Sequence, residues 1–215
     1  MLTQKAIIEA AAEVADAGGV AAVTMRSVAK VLGVEAMSLY YHLANKEALL
    51  DSLADWVFEQ ITLPDLEDHW RIAMVARAHS ARSVLSKHTW ALGMLESRPT
   101  PGENLLRHHD RILGCLLGGG MTPVMAAHAF SAIDSYIYGF VLSEMSLSPA
   151  PEHQAEEGFS TEVAKQAETY PNLALIAVEA MNGHSFTFED EFDYGLNLIL
   201  DGFEERLTKQ LQRSE

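Results

Sequence analysis

The sequence predicts an all-α protein, with a three-helix unit at the N-terminus followed by a larger helical body. Three observations carry this reading. No run of alternating β-branched residues bounded by turn formers occurs, so strand signals are absent. Apolar residues recur at helical spacing along nearly the whole chain. Glycine and proline clusters fall between the periodic segments, as RPTPG at 98–102, GGG at 118–120 and SPAPEHQAEEG at 148–158.

The elements follow in order. Ile7, Ala11, Val14 and Ala15 share one face of a first helix, with Thr3 as its N-cap and Gly18-Gly19 as its stop. Thr24 caps a second, MRSVAKVL, whose Val28, Ala29 and Leu32 share a face and which Gly33 closes. A short third segment follows Val34. Asn45 caps a fourth helix, KEALLDSLADWVFEQI, with Glu47 in its first turn to complement the helix dipole. Beyond Pro64, periodicity predicts helices over roughly 68–87, 90–97, 102–117, 123–147, 161–181 and 187–211. The expected division is 1–46 for the N-terminal unit, 47–63 for a connecting helix and 64–215 for the body. The segment 148–158, with two prolines, acids and small residues, reads as a loop.

Composition narrows the function classes. The 215 residues are 48% hydrophobic and 21% charged, an ordinary globular balance. The lone Cys115 cannot form an internal disulfide, which points to a reducing, cytoplasmic setting. Lys5, Glu9, Glu13 and Asp16 interrupt the N-terminal segment, so it does not read as a secretory signal. The apolar stretch AFSAIDSYIYGFVL is too short and too polar to span a bilayer, so no membrane partner is expected. Net charge is −15, yet its distribution is uneven. Residues 1–50 hold four Lys/Arg against five Asp/Glu, whereas residues 51–215 hold eleven against twenty-five. Between Thr24 and Lys46 the only acid is Glu35, against Arg26, Lys30 and Lys46. A locally basic window on an acidic body allows a focused, salt-sensitive contact with a polyanion.

That window contains a helix, a glycine turn and a second short helix, which is the helix-turn-helix pattern. On a wheel at 100° per residue, Ala36, Leu39, Tyr40 and Leu43 fall on one side, with Met37, Ser38, Tyr41 and His42 on the other. The first side suits docking on the preceding helix, with Tyr40 at its edge. The second is a compact exposed row. Ser38 can hydrogen-bond a base edge or a phosphate, and Met37 and Ala36 can touch thymine methyls. The tyrosine hydroxyls can reach phosphates, and Lys46 can hold a phosphate at the start of the next helix. By pattern alone, a satisfied helical core with a solvated aromatic row remains open.

The stretch VTMRSVAKVLGVEAMSLYYHLANKEALLDSLA, with its LGV-x4-LYYH-x3-K core, resembles the DNA-binding segment of the tetracycline-repressor (TetR) family of bacterial regulators. A weaker likeness to the family's tetracycline-repressor subgroup runs through SRPT at 97–100, GFVL at 139–142 and YGLNLILDGFEERL near the end. The resemblance implies a homodimeric, ligand-responsive repressor released from a palindromic double-stranded DNA operator by a small-molecule effector. It also implies DNA contacts from Thr24, Arg26, Ala36, Met37, Ser38, Tyr40, Tyr41, His42 and Lys46. Two positions depart from the subgroup. Its base-reading glutamine is Ala36 here and its proline is Met37, so the operator read should differ.

In the body, Phe130, Ile133 and Ile137 form one apolar stripe, and Leu196, Ile199 and Phe203 form another. Gly195 and Gly202 would let a second helix approach closely. Periodicity leaves interface and monomer core equally open; the resemblance favours a four-helix dimer interface. His79, Trp90, Met94, Ser97, His109, Asp134 and Tyr138 are the expected effector-pocket residues, polar and aromatic groups set among apolar ones. Aligning SRPT puts Met94 where the subgroup has a metal-holding histidine and Ser97 where it has a threonine. A thioether is a poor ligand for a hard cation. The expectation is therefore an apolar or aromatic effector, with neither metal nor cofactor. No two of the nine histidines lie three or four residues apart, and no Cys-x-x-Cys, G-x-S-x-G or G-x-x-x-x-G-K motif occurs. A helical enzyme or carrier without DNA binding is the second hypothesis.

Overall fold

A computed structural model of the protein describes residues 2–95, 101–146, 162–163, 166–181 and 187–212. All of its regular elements among the described residues are helical. In chain order they are α1 (Gln4–Gly18), α2 (Met25–Leu32), α3 (Ala36–Leu39), α4 (Lys46–Gln60), α5 (Trp70–Lys87), α6 (Leu92–Leu95), α7 (Glu103–Gly118), α8 (Pro123–Ser146), α9 (Pro171–Met181) and α10 (Phe188–Gln212). Ser97, SRPT and the 148–158 loop lie outside the described residues.

The caps are those that the sequence signals. The Thr3 side chain accepts from the Ala6 amide at 3.2 Å, and Asn45 accepts from Ala48 at 2.9 Å. Thr24 and Ser27 form a reciprocal capping box, each hydroxyl accepting from the other's amide at 3.0 and 2.9 Å. Gly33 ends α2 at φ +66°, a left-handed conformation that a side chain would strain. Two expected helices differ. The segment predicted over 161–181 becomes a turn at Gln166–Thr169 with α9 starting at Pro171, because proline disfavours helix in the residue before it and is at home as a first helical residue. The segment predicted from residue 90 opens as a 3-10 turn, Thr89–Ala91, before the four-residue α6.

Ile7, Ala11, Val28, Leu39, Leu43, Leu49 and Leu53 are buried and close the N-terminal core of α1–α4. In the body α8 packs on α5, α7 and α10. Ile112, Leu116, Ile133, Ile137, Phe192, Leu196 and Leu200 are buried there. Ion pairs tie α10 to α5, from Arg71 to Asp201 at 2.7 Å and to Glu204 at 2.9 Å, and His79 Nε2 lies 2.8 Å from Asp193. Arg82 joins Glu144 at 2.6 Å and Glu189 at 3.0 Å, and its guanidinium lies over the rings of Phe140 and Phe192. The hydrogen bond to Glu144, outweighing the burial penalty, raises the Arg82 pKa.

Two carboxylates join α1 and α4 to the body. Asp16 of α1 accepts from the Trp90 indole at 2.7 Å and lies 2.8 Å from His88 Nδ1. Asp55 of α4 accepts from the backbone amides of Asn104 and Leu105 at 3.1 and 2.9 Å, so a side chain from one helix caps another. No described helix is long and apolar enough to cross a membrane.

Candidate functional site

Leu39 and Leu43, 0% and 5% exposed, anchor α3 in the core. On the other side Met37 is 70% exposed and Tyr41 87%, and His42 is exposed as well. Ala36 and Ser38 are half-buried. The wheel set Tyr40 at the edge of the docking face, and it is 47% exposed. α3 ends at Leu39, and residues 40–42 form a turn in which His42 N–H bonds the Leu39 carbonyl at 2.9 Å. Thr24 and Arg26 are exposed at the start of α2, and half-buried Lys46 opens α4 beside its Asn45 cap. All nine expected contact residues therefore flank one helix-turn-helix, with side chains fully or partly open to solvent. The Thr24 hydroxyl is already held by the capping box, so its first role is to fix the α2 terminus.

A second centre lies where α4, α5, α7 and α8 converge. Arg77 of α5, 1% exposed, donates through Nη1 to Asp134 of α8, which is 7% exposed. His108 of α7 is fully buried, with its ring 5.6 Å from that of Phe58 in α4. Half-buried His109 meets Phe130 edge-on at 4.8 Å and Phe58 at 6.1 Å. Burial, helped by neighbouring Arg77 and His109, pushes the His108 pKa down to about 3, so the ring is neutral near pH 7. Burial also lowers that of His109, partly offset by Asp134. Among the described residues Arg77 Nε and Nη2 and both ring nitrogens of His108 are buried without a protein hydrogen-bond partner. Each such group left unpaired costs roughly 1–3 kcal/mol.

The expected pocket residues fall in different places. His109 and Asp134 belong to this centre, and Phe130, expected at an interface, forms one wall against His109. Met94 is buried and Tyr138 half-buried. His79 instead pairs with Asp193 between α5 and α10, because its ring packs on Phe192 there. Trp90 is committed to Asp16 and His88 at the joint with α1. Arg77 and His108 are not among the expected pocket residues. Arg77 had a signal: it stands four residues after Ala73 and four before Ala81, a charge in the middle of a small apolar stripe.

The two apolar stripes divide between core and surface. Ile133, Ile137 and Leu196 are at most 1% exposed within one chain, because α8, α7 and α10 pack on that face. Gly195 is filled from its own chain: a Cβ there would lie 2.3 Å from the Tyr136 hydroxyl, which bonds the Phe192 carbonyl at 3.0 Å. Gly202 faces open space. The surface face of α8 and α10 carries Val124, 68% exposed, and Leu198, 57% exposed, with half-buried Ile199 and Phe203 along a shared groove. Burial of the Cys115 thiol raises its pKa, away from the reactive thiolate.

Residues 7–53 match the family model described as bacterial regulatory proteins, tetR family, and residues 63–207 match that of the tetracyclin repressor-like C-terminal domain. The HTH-type transcriptional repressor DrrR1 of Streptomyces coeruleorubidus is 32% identical over 214 residues, covering 94% of this chain and 77% of that protein. The class D tetracycline repressor protein of Escherichia coli is 29% identical over 98% of this chain and 93% of its own length. Among solved structures, the Streptomyces coelicolor TetR family protein ActR in complex with actinorhodin superposes with a TM-score of 0.77 at 25% identity, covering 96% of this chain and 99% of that one.

Proposed function

The chain belongs to the tetracycline-repressor family of bacterial regulatory proteins and is a helix-turn-helix transcriptional regulator; on that premise we propose that a cytoplasmic homodimer represses from a palindromic operator and is released by an effector bound at the Arg77–His108 centre. The observation that carries the reading is the row Met37, Ser38, Tyr40, Tyr41 and His42 held outward by buried Leu39 and Leu43. Residues 1–46 form the DNA-binding unit, 47–63 the connecting helix and 64–215 the effector and dimer part. Met37, Ser38 and Ala36 face base edges, while Thr24, Arg26, Tyr40, Tyr41, His42 and Lys46 face phosphates.

Dimerisation pairs the α8/α10 faces about a two-fold axis, burying Val124, Leu198, Ile199 and Phe203, with open Gly202 admitting the partner helix. This sets two recognition helices for successive major grooves of a near-palindrome. The ActR–actinorhodin complex supports an effector-binding role for the body. The effector acts by favouring a state in which the two α3 helices are wrongly spaced.

Fluorescence anisotropy with the DNA upstream of the protein's own gene tests the proposal. A regulator binds with a steep salt dependence, whereas a helical carrier or enzyme does not bind. Lys46→Ala should weaken binding equally on all sequences and reduce the salt slope by about one. An unchanged slope would remove Lys46 from the phosphate contacts.

A further inference from the structure

We infer that the effector is a flat aromatic molecule carrying two neighbouring oxygen acceptors, which dock side-on to the Arg77 guanidinium. The inference rests on the reading of the Arg77–His108 centre as the effector site. The argument starts from which nitrogens are used. Asp134 takes Nη1. The nitrogens left without protein partners are Nε and Nη2, which together make one edge of the guanidinium. Their N–H bonds run parallel, a fork that matches two oxygens on adjacent atoms or on one carboxylate. A single hydroxyl or a hydrocarbon satisfies one prong or none.

The surroundings agree. His108, fully buried and neutral, adds one donor and one acceptor beside the fork. The rings of Phe58, His109 and Phe130 supply flat faces, with His109 edge-on to both phenyl rings. A planar ring system packs against such faces and carries its oxygens to the fork without spare rotors to freeze. Arg77 and Asp134 balance each other in charge, so the fork accepts a neutral hydroxy-ketone edge as well as an ionised acid. The polar recognition therefore goes beyond the purely apolar or aromatic effector expected from the absence of a metal-binding histidine at position 94. A pocket built to pair buried donors discriminates strongly against an analogue lacking the acceptors.

Isothermal titration of the full chain with three two-ring probes tests this: hydroxynaphthoate, dihydroxynaphthoquinone and naphthalene. Both oxygenated probes should bind at least tenfold more tightly than naphthalene. Arg77→Lys keeps the charge on Asp134 and removes the fork. It should erase that preference. Arg77→Met combined with Asp134→Leu removes the fork without stranding a buried carboxylate, and it should erase the preference too. Comparison of naphthoate with naphthoquinone separates an ionised acceptor from a neutral one. Oxygenated probes binding no better than naphthalene, or a preference surviving both variants, overturn the inference while leaving the centre as an effector site. If no probe binds, or binding ignores every substitution in the centre, the effector-site reading falls with it.

Discussion

Gly102 and Asp55 supply a coupled prediction. Asp55 accepts two amide hydrogens of the first turn of α7, from Asn104 at 3.1 Å and Leu105 at 2.9 Å. Loss of such a cap costs about 1–2 kcal/mol. In a chain of this size that lowers Tm by about 2–8 °C for Asp55→Ala. Gly102 has φ −78°, so its backbone would suit alanine. Its added Cβ, however, would sit 2.1 Å from Asp55 Oδ1 and 2.2 Å from Cγ. The carboxylate must then swing away and both bonds break. Gly102→Ala should therefore cost at least as much as Asp55→Ala. With Asp55 already alanine the carboxylate is gone and the cap is already lost, so adding Gly102→Ala should cost less than it does beside Asp55, the remaining cost coming from the residue 55 Cβ, 2.6 Å from the added one. Urea unfolding of the four proteins closes the cycle, with an expected coupling of about 1–2 kcal/mol. Additive costs would show that the two residues do not share one contact and would refute the cross-helix cap.

Three further outcomes follow from the same geometry. Leu39→Ala should destabilise by roughly 2–5 kcal/mol, whereas Tyr41→Ala should change stability by less than about 0.5 kcal/mol and weaken operator binding; denaturation and anisotropy separate the two effects. The folded His108 pKa is about 3, below its usual 6.5, so the unfolded chain binds the extra proton. Stability from keeping this ring neutral is present above pH 6.5 and is lost as pH falls towards 3, so His108→Phe should flatten the acid limb of stability against pH. An unchanged limb would contradict the buried neutral ring. Leu198→Glu, at an exposed groove position, should yield monomers in light scattering with little loss of monomer stability. A dimer that persists would move the interface elsewhere.

The capped ends and buried faces of α1, α2 and α4 were legible because each depends on residues within a turn of one another: Thr3 with Ala6, Thr24 with Ser27, Asn45 with Ala48. Tyr40 was less so, since at the edge of a face a wheel does not decide how much of a ring is covered. The body was legible as helices and not as partners. A stripe such as Ile133–Ile137 shows that a face is apolar, but whether its own chain or another covers it depends on long-range packing. Gly195 illustrates this: small size predicts close approach, and the approaching group is Tyr136 of the same chain. The polar centre was hardest, because Arg77 and Asp134 are 57 residues apart and neither lies in a local motif.

The two ends of α4 give the sites their physical connection. Lys46 opens the helix at the proposed DNA face, and Phe58 lies against His108 and His109 about 18 Å further along a rigid rod. Between them Asp55 is fastened to the first turn of α7, the helix that carries both histidines. A ligand that reorients His108 or His109 therefore acts on α4 twice, once through the Phe58 ring and once through the Asp55 cap. Coupling of this kind is reciprocal: operator DNA must weaken effector binding by the factor by which effector weakens DNA binding. Asp55→Ala removes one of the two connections and leaves both sites' own side chains in place. Both factors should then shrink together, with the intrinsic affinities little changed. An unchanged coupling factor would refute the link, and a loss of either intrinsic affinity would mean that the variant had damaged a site.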